Sequence, residues 1–252
     1  MSPRPGATTP PATWSVNYWG TTMQGSHRNY HEDAIVVGGT IALTDGATLA
    51  GTYWMADEDW LLLAVIDGIG GHAGGVDAAF VAAGEMIRIA APRTNWAEAI
   101  EYASDRVAAA GKAWGTERMG ATVAGLVLSR THATSINLGD CRSYQVAEGR
   151  IELLSTDDHE PQGSLTVVTQ HLGGVPRVLD PHRFTLEHGE TGRARYLVCS
   201  DGLHRAVPPG KIRSILQRER TALEAHDALI TVAQDYDTDD NYSLIVADVG
   251  PA

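Results

Sequence analysis

Acidic residues recur where apolar, strand-like stretches of this sequence begin or end. Asp67 follows the six consecutive apolar residues 61–66, a run short enough to form a strand that is buried on both faces. Four more sites of this kind lie along the chain: Glu32 with Asp33, Asp140, Asp201, and Asp239 with Asp240. Ordinary turns explain one or two such sites. Because Mg²⁺ and Mn²⁺ prefer oxygen ligands, the full set favours carboxylates that converge on hard cations.

The predicted elements that must position these carboxylates alternate between strands and helices. Two helices, at 76–90 and 95–115, follow the strand at 61–66. Four short strands come next, and their short polar connections are typical of antiparallel meanders. A second helix pair, at 211–218 and 222–236, precedes the last strand. This order predicts an α+β fold in which sheets pack together and helices lie outside.

The organisation of the chain predicts a single domain. We find no internal repeat or linker between about residues 13 and 250. Residues 1–12 contain four prolines and are predicted to form a disordered tail. The least regular stretch is 157–174, in which we expect a helical turn at 165–172.

Composition excludes several classes of function. The chain has 252 residues, 43% of them hydrophobic, and a formal charge of −12, which argues against a nucleic-acid or anionic-membrane partner. No apolar run approaches the ~20 residues of a membrane span, and the N-terminus lacks the apolar core of a signal peptide. Two cysteines do not imply a disulfide framework. We therefore expect a cytoplasmic protein.

Two generic motifs are present but lack their chemical context. Residues 68–73 fit G-x-G-x-x-A, yet Asp67 would repel a pyrophosphate and the first helix is followed by a second helix. Residues 199–205 fit the C-x₅-R spacing of cysteine phosphatases, yet Asp201 lies within a loop that must bind an anion. Neither a dinucleotide site nor a cysteine nucleophile is favoured.

Seven short motifs, in order and spanning about residues 14 to 249, resemble those of the metal-dependent serine/threonine protein phosphatases of type 2C, the PPM family. They are RNYHED at 28–33, DGIGGH at 67–72, GAT at 120–122, GDCRSY at 139–144, TDDH at 156–159, SDGL at 200–203 and DN at 240–241. The second motif is similar to the bacterial form of the family. The resemblance implies a four-layer α-β-β-α sandwich of two antiparallel sheets flanked by helices.

The same resemblance implies a metal site. Asp67 would bridge two Mn²⁺ or Mg²⁺ ions with help from the Gly68 carbonyl, and Asp140 with Asp201 would match the site of a third, weaker ion. Arg28 would bind the substrate phosphate, a role that suits a bidentate guanidinium. The full set of expected metal ligands is Glu32, Asp33, Asp67, Gly68, Asp140, Asp201 and Asp240.

The implied reaction is hydrolysis of phosphoserine and phosphothreonine on proteins by a water molecule activated between two metal ions. The implied partners are a phosphorylated protein substrate and an opposing serine/threonine kinase in bacterial signal transduction, and we expect a monomer. Two alternatives stay open. One is a catalytically weak pseudophosphatase that binds phosphoproteins as a regulatory module, and the other is a two-metal hydrolase of small phosphoesters.

The chain departs from the family pattern at several positions. His31 replaces the usual asparagine, and Ile69 stands where eukaryotic members carry a histidine proposed as general acid. His31, His72 and His159 are the remaining candidates for that acid. The stretch from His159 to Leu172 is shorter than the flap of bacterial members, and this predicts a more open site.

Overall fold

Two antiparallel β-sheets lie against one another, and helices cover the outer face of each. The computed structural model describes residues 13–69, 73–162, 165–174, 179–189 and 191–252. The predicted tail at 1–12 therefore lies outside the described residues. In chain order the elements are β1 (Trp14–Met23), β2 (Asp33–Val37), β3 (Thr40–Ala42), β4 (Thr48–Met55), β5 (Leu61–Ile69), α1 (Ala73–Ile89), α2 (Trp96–Trp114), β6 (Gly120–Leu128), β7 (His132–Leu138), β8 (Arg142–Ala147), β9 (Arg150–Leu153), β10 (His159–Gln162), β11 (Leu165–Val168), β12 (Leu172–Gly173), β13 (His182–Glu187), β14 (Ala194–Cys199), α3 (Asp201–Ala206), α4 (Pro209–Arg218), α5 (Ala222–Asp235) and β15 (Tyr242–Pro251).

The strand order places sequence-distant strands side by side. The six-stranded sheet has the order β4-β1-β15-β14-β8-β9, so the first and last strands of the domain are neighbours. The seven-stranded sheet has the order β13-β7-β6-β5-β2-β3, and the short β12 also pairs with β6. β5 thus lies within its sheet with β2 on one side and β6 on the other, as its unbroken apolar sequence predicts.

The alternation of side chains along β5 shows why all six of its first residues are apolar. Leu62 and Ile66 pack into the core formed with α1 and α2. Leu63 and Val65 point the other way, into the core between the two sheets. Since successive strand residues face opposite sides, a strand covered on both faces needs an uninterrupted apolar run.

A second helical layer covers the six-stranded sheet. Ile212 of α4 and Leu229 of α5 pack with Leu244 and Val246 of β15 in a third apolar cluster. The layers therefore run helix, sheet, sheet, helix, and the predicted α-β-β-α fold is confirmed. None of the described helices has both the length and the apolar composition that crossing a bilayer requires.

The helical turn expected at 165–172 is wrong. β11 pairs with β10 in an antiparallel hairpin, and Leu172 pairs with Ala121 of β6. The sequence at 166–168 contains three consecutive β-branched residues, which lose side-chain freedom in a helix and suit a pleated strand.

The four strands from β6 to β9, expected as antiparallel meanders, divide between the two sheets. β6 pairs with β7, and β8 pairs with β9, but β7 and β8 belong to different sheets. Residues 139–141 therefore carry the chain across the sandwich, whereas a connection of this length in sequence resembles an ordinary hairpin turn. This crossing brings Asp140 to the end of the sandwich where the other acids lie.

Candidate metal centre

Three of the predicted acids meet at one end of the sandwich. Asp67 lies near the end of β5, Asp140 lies in the crossing between the sheets, and Asp201 is the first residue of α3, directly after β14. One carboxylate oxygen from each lies within 4.8 Å of the others. These three residues, separated by up to 134 positions in the sequence (201 − 67), form what we call the acidic cluster.

The carboxylates of the acidic cluster oppose one another's ionisation. Burial raises the pKa of Asp67 well above its ordinary value, and the charges of nearby aspartates, among them Asp33 and Asp201, raise it further. Burial, together with the charge of Asp140, raises the pKa of Asp201 to about 7. Like charges held this close in a partly dry site are unfavourable unless a cation compensates them.

Asp33 lies next to the cluster and is held by hydroxyl groups. It is the direct cross-strand partner of Asp67, so both side chains point to the same face of the sheet. Its Oδ2 atom accepts hydrogen bonds from Ser200 Oγ and Ser243 Oγ, each at 2.8 Å. Burial raises the pKa of Asp33 to about 7 despite these two bonds. The hydroxyl groups of Ser200 and Ser243 thus fix the orientation of the Asp33 carboxylate.

Close packing around Glu32 explains why glycine occupies positions 68 and 75. The backbone N–H of Gly68 donates to the carbonyl oxygen of Glu32 at 3.0 Å. A Cβ atom on Gly68 would overlap the carbonyl oxygen of Gly75, and a Cβ on Gly75 would overlap Oε1 of Glu32. Glycine at both positions lets the first turn of α1 pack against this carboxylate and the strand. Their role in the structure is close packing around an acid, unlike the phosphate cradle of a dinucleotide site.

Arg28 and Asp240 lie together at the edge of the site. Arg28 Nη2 donates to Asp240 Oδ2 at 2.5 Å, and 45% of the arginine side chain is exposed. Partial burial lowers the pKa of Arg28, but the carboxylates of Asp240, Asp67 and Glu32 outweigh that effect and raise it. Asp240 is not part of the acidic cluster, but its charge raises the pKa of Asp67 and of Asp201.

The crossing that carries Asp140 is fixed from several sides. Gly139 adopts a positive φ of 102°, and its N–H donates to Asp158 Oδ2 at 2.9 Å. On the other side, the Nε2 atom of His204 in α3 lies 2.8 Å from the carbonyl oxygen of Asp140. The sequence identified the TDDH motif without a role for Asp158, and it gave no signal for His204. Both residues act through the backbone around Asp140.

Arg205 is the residue that sequence reasoning missed most clearly. Its Nη2 atom lies 2.5 Å from Asp140 Oδ2, and its Nη1 atom lies 2.7 Å from Asp201 Oδ2. The C-x₅-R spacing singled out this arginine for a different reason. Cys199 is fully buried, and burial raises the pKa of its thiol. Arg205, at the other end of the motif, is already paired with two carboxylates. Neither residue therefore suits a cysteine phosphatase, which needs a thiolate and an arginine that binds the phosphate.

The three histidines considered as a general acid have different surroundings. His31 Nε2 lies 2.6 Å from Thr22 Oγ1, and burial lowers its pKa. His159 is exposed at the start of β10. His72 lies outside the described residues. The surroundings of the two described histidines, His31 and His159, do not assign a proton-transfer role to either.

An antiparallel hairpin lies close to the acidic cluster, and the more open site expected from the sequence stays a prediction. β10 and β11 form this hairpin, and it begins directly after Asp158, whose side chain holds the Gly139 backbone. His159, at the base of the hairpin, lies close enough to lower the pKa of Asp140 by its charge. The described residues from His159 to Val168 therefore form paired strands near Asp140.

The donor atoms of the site fit a hard divalent cation. All three residues of the acidic cluster offer carboxylate oxygen, the ligand type that Mg²⁺ and Mn²⁺ prefer. Within the described part of the chain, Oδ1 of Asp33 and Oδ1 of Asp140 are buried without a hydrogen-bond partner. A bound cation would satisfy such atoms, which otherwise carry the full cost of lost hydration.

Comparisons with known proteins point in the same direction. A family model described as protein phosphatase 2C matches residues 45–240. The serine/threonine protein phosphatase PstP of Mycobacterium tuberculosis is 28% identical in an alignment 218 residues long, with 75% of this chain and 40% of that relative covered. The chain thus spans less than half the length of this curated relative.

Solved structures share the fold over almost the whole chain. A bacterial serine phosphatase has a TM-score of 0.76 at 22% identity, with 93% of this chain and 98% of that chain covered. The catalytic domain of PstP in complex with two manganese ions has a TM-score of 0.72 at 25% identity, with 94% and 100% covered. With its fold, its acidic cluster and a family model that matches residues 45–240, the chain belongs to the protein phosphatase 2C family.

Proposed function

We propose that this chain is a metal-dependent phosphatase that hydrolyses phosphoserine and phosphothreonine on proteins. The observation that carries the proposal is the convergence of Asp67, Asp140 and Asp201 with an arginine, Arg28, at the edge of the same site. Membership of the family and the two manganese ions described for PstP support it. Its substrate would be supplied by a protein kinase that phosphorylates serine or threonine.

The proposed ligands of the two ions come from four separate places in the fold. Asp67 and the Gly68 carbonyl belong to β5, Asp201 belongs to α3, and Asp240 directly precedes Asn241 and β15. Glu32 completes the set from the residue before β2. When bound to these oxygens, two Mn²⁺ or Mg²⁺ ions supply Lewis acidity and lower the pKa of a water molecule to about 7. Placement on rigid elements keeps the carboxylates close together despite their mutual repulsion.

Arg28 is proposed to bind the substrate phosphate. Its side chain is 45% exposed, so a substrate can approach it from solvent. Its charge also interacts with Asp67 and Glu32 inside the site. A guanidinium has five N–H donors, so one bond to Asp240 leaves donors for phosphate oxygens. Arginine binds phosphate through paired N–H groups, which also fix its orientation for attack.

The thiols of the chain do not offer an alternative nucleophile. Cys141 and Cys199 are both buried, and burial raises the pKa of each well above the value of a free thiol. A thiol that keeps its proton is a poor nucleophile. Direct attack by water, without a phosphocysteine, is therefore the reaction that these residues favour.

An assay on purified protein separates this proposal from its two alternatives. Release of phosphate from phosphoserine and phosphothreonine peptides should require Mn²⁺ or Mg²⁺ and stop when a chelator is added. Asp105→Asn, an exposed position on α2, serves as the matched control for loss of one carboxylate and should behave as wild type. Peptide binding without phosphate release would support the pseudophosphatase. Release from an aryl phosphate but from no phosphopeptide would support a hydrolase of small phosphoesters.

A further inference from the structure

Arg205 places a guanidinium between two acids of the cluster. It contacts Oδ2 of Asp140 at 2.5 Å through one terminal nitrogen and Oδ2 of Asp201 at 2.7 Å through the other. Each terminal nitrogen of the guanidinium thus contacts a different carboxylate. This geometry differs from a surface ion pair, because Asp140 is 1% exposed and Asp201 is 10% exposed.

Helix α3 fixes where this charge lies. Asp201 and Arg205 are four residues apart and therefore share one face of the helix. The neighbouring His204 contacts the Asp140 backbone carbonyl at 2.8 Å, which ties the same helix to the crossing. Leu203 and Gly202 are buried, and a Cβ on Gly202 would overlap the carbonyl oxygen of Asn241. The backbone of α3 therefore packs directly against the residue that follows Asp240.

The two acids that Arg205 contacts lie close together in a buried place. A carboxylate oxygen of Asp140 and one of Asp201 lie within 4.8 Å of each other, and the guanidinium of Arg205 contacts both side chains. Oδ1 of Asp140 is also buried without a partner in the described part of the chain. Arg205 therefore compensates part of the negative charge of this pair.

We propose that Arg205 is a built-in cation that occupies the place between Asp140 and Asp201 in which family resemblance implies a third, weakly held metal ion. The chain would then work with two divalent ions and with this guanidinium in place of the third. A further ion at this pair would have to displace a cation that the fold already supplies. The inference rests on the proposed function, since it assumes that Asp67 and its neighbours bind the first two ions.

The test is the number of Mn²⁺ ions bound per chain, measured by equilibrium dialysis with Mn²⁺ alone. Wild type is expected to bind two ions. Arg205→Ala and Arg205→Gln remove the charge and are expected to bind three, the third more weakly than the others. Arg213→Ala, at an exposed arginine of α4, is the matched control and should bind two. Arg205→Gln keeps a side chain of similar length in case the alanine variant does not fold.

Anomalous diffraction from crystals grown with Mn²⁺ locates the additional ion. A peak between Asp140 and Asp201 in the Arg205→Gln variant, absent from wild type, would support the inference. Two ions in every variant, or three in wild type, would overturn it and leave the metal-dependent phosphatase intact. A wild-type chain that binds no Mn²⁺ would reject the proposed function and this inference together.

Discussion

Two arginines flank the acidic cluster, and they differ in what holds them. Arg28 and Arg205 each leave 45% of the side chain exposed, and each contacts a carboxylate at 2.5 Å. Arg28 belongs to the segment between β1 and β2 and bonds Asp240, whereas Arg205 rises from α3 and bridges Asp140 and Asp201. The two arginines therefore have the same exposure and the same contact distance but different partners. We propose that the Arg28 guanidinium binds the substrate phosphate and that the Arg205 guanidinium compensates the charge of the protein's own acids.

Support from the backbone explains this difference. The segment of Arg28 is tied to the loop before β15 by backbone bonds from Ser26 to Thr238 and from His27 to Asp239. Such a connection fixes a position and still allows a side chain to turn toward a ligand. Arg205 is fixed by helical spacing to one of its own partners. A loop suits an arginine that must also contact a ligand, and a helix suits one whose contacts are all within the protein.

The largest effect is expected from Asp67, the acid proposed to bridge the two metal ions. Asp67→Asn should lower kcat/KM by more than about 10³-fold, because Lewis-acid stabilisation is worth several kcal/mol and each ~1.4 kcal/mol is a factor of ten. Phosphopeptide kinetics and Mn²⁺ dialysis on the same sample test this. Activity and Mn²⁺ binding should fall together, with Asp105→Asn as control. Near-normal activity would remove Asp67 from the site and would leave neither arginine with the task described.

Removal of Arg28 should affect phosphate binding alone. Arg28→Ala is expected to lower kcat/KM by roughly 10- to 100-fold, since a charge-assisted hydrogen bond contributes about 1.5–3 kcal/mol. The number of Mn²⁺ ions bound should stay as in wild type, and competitive inhibition by inorganic phosphate should weaken. Arg205→Ala should show the opposite pattern, with a changed ion count and retained phosphate inhibition. If both variants changed the same property, the distinction between the two arginines would be lost.

The pH dependence of stability in the metal-free protein sharpens the same comparison. Asp33 and Asp201 have pKa values of about 7 in the folded chain, raised mainly by burial from an ordinary 3.8. The folded state therefore holds more protons than the unfolded state between these values, and the free energy of unfolding should fall as pH rises from about 4 to 7. Thermal denaturation in the presence of a chelator should show a Tm that decreases across this pH range. Each kcal/mol lost from the free energy of unfolding should lower the Tm by ~2–4 °C.

The two arginine variants should separate in this experiment. Arg205 lowers the pKa of both Asp140 and Asp201, so Arg205→Ala should make the decrease in Tm steeper. Arg28→Ala should leave the slope close to that of wild type. Saturating Mn²⁺ should flatten the curve in every protein, because an ion that binds ionised carboxylates of the folded state stabilises it by mass action. A Tm that rises with pH in the chelated wild type would contradict the assignment of raised pKa values.

The sequence predicted the acids better than it predicted what surrounds them. Asp67 and Asp201 could be located because each ends a run of apolar residues, a pattern that marks both the strand and its exit from the core. Arg205 and His204 could not, since α3 has only six residues and shows no helical periodicity. Their partner Asp140 is more than sixty positions away in the chain. Contacts of this kind depend on the crossing between the sheets, which looks like a hairpin turn in the sequence.

The smallest effect is expected from substitution of His204, whose contact with the Asp140 backbone is a hydrogen bond and not an ion pair. Burial lowers its pKa to about 4, so the ring is neutral at physiological pH and contacts the Asp140 carbonyl as a hydrogen-bonding group. His204→Ala should weaken Mn²⁺ binding by about tenfold or less, as loss of an outer partner of a ligand does at the lower limit. The number of ions should stay unchanged, and saturating Mn²⁺ should restore activity, which titration of phosphopeptide hydrolysis with Mn²⁺ measures. If His204→Ala instead gained an ion, as Arg205→Ala is expected to, displacement of α3 rather than loss of the guanidinium charge would explain both variants.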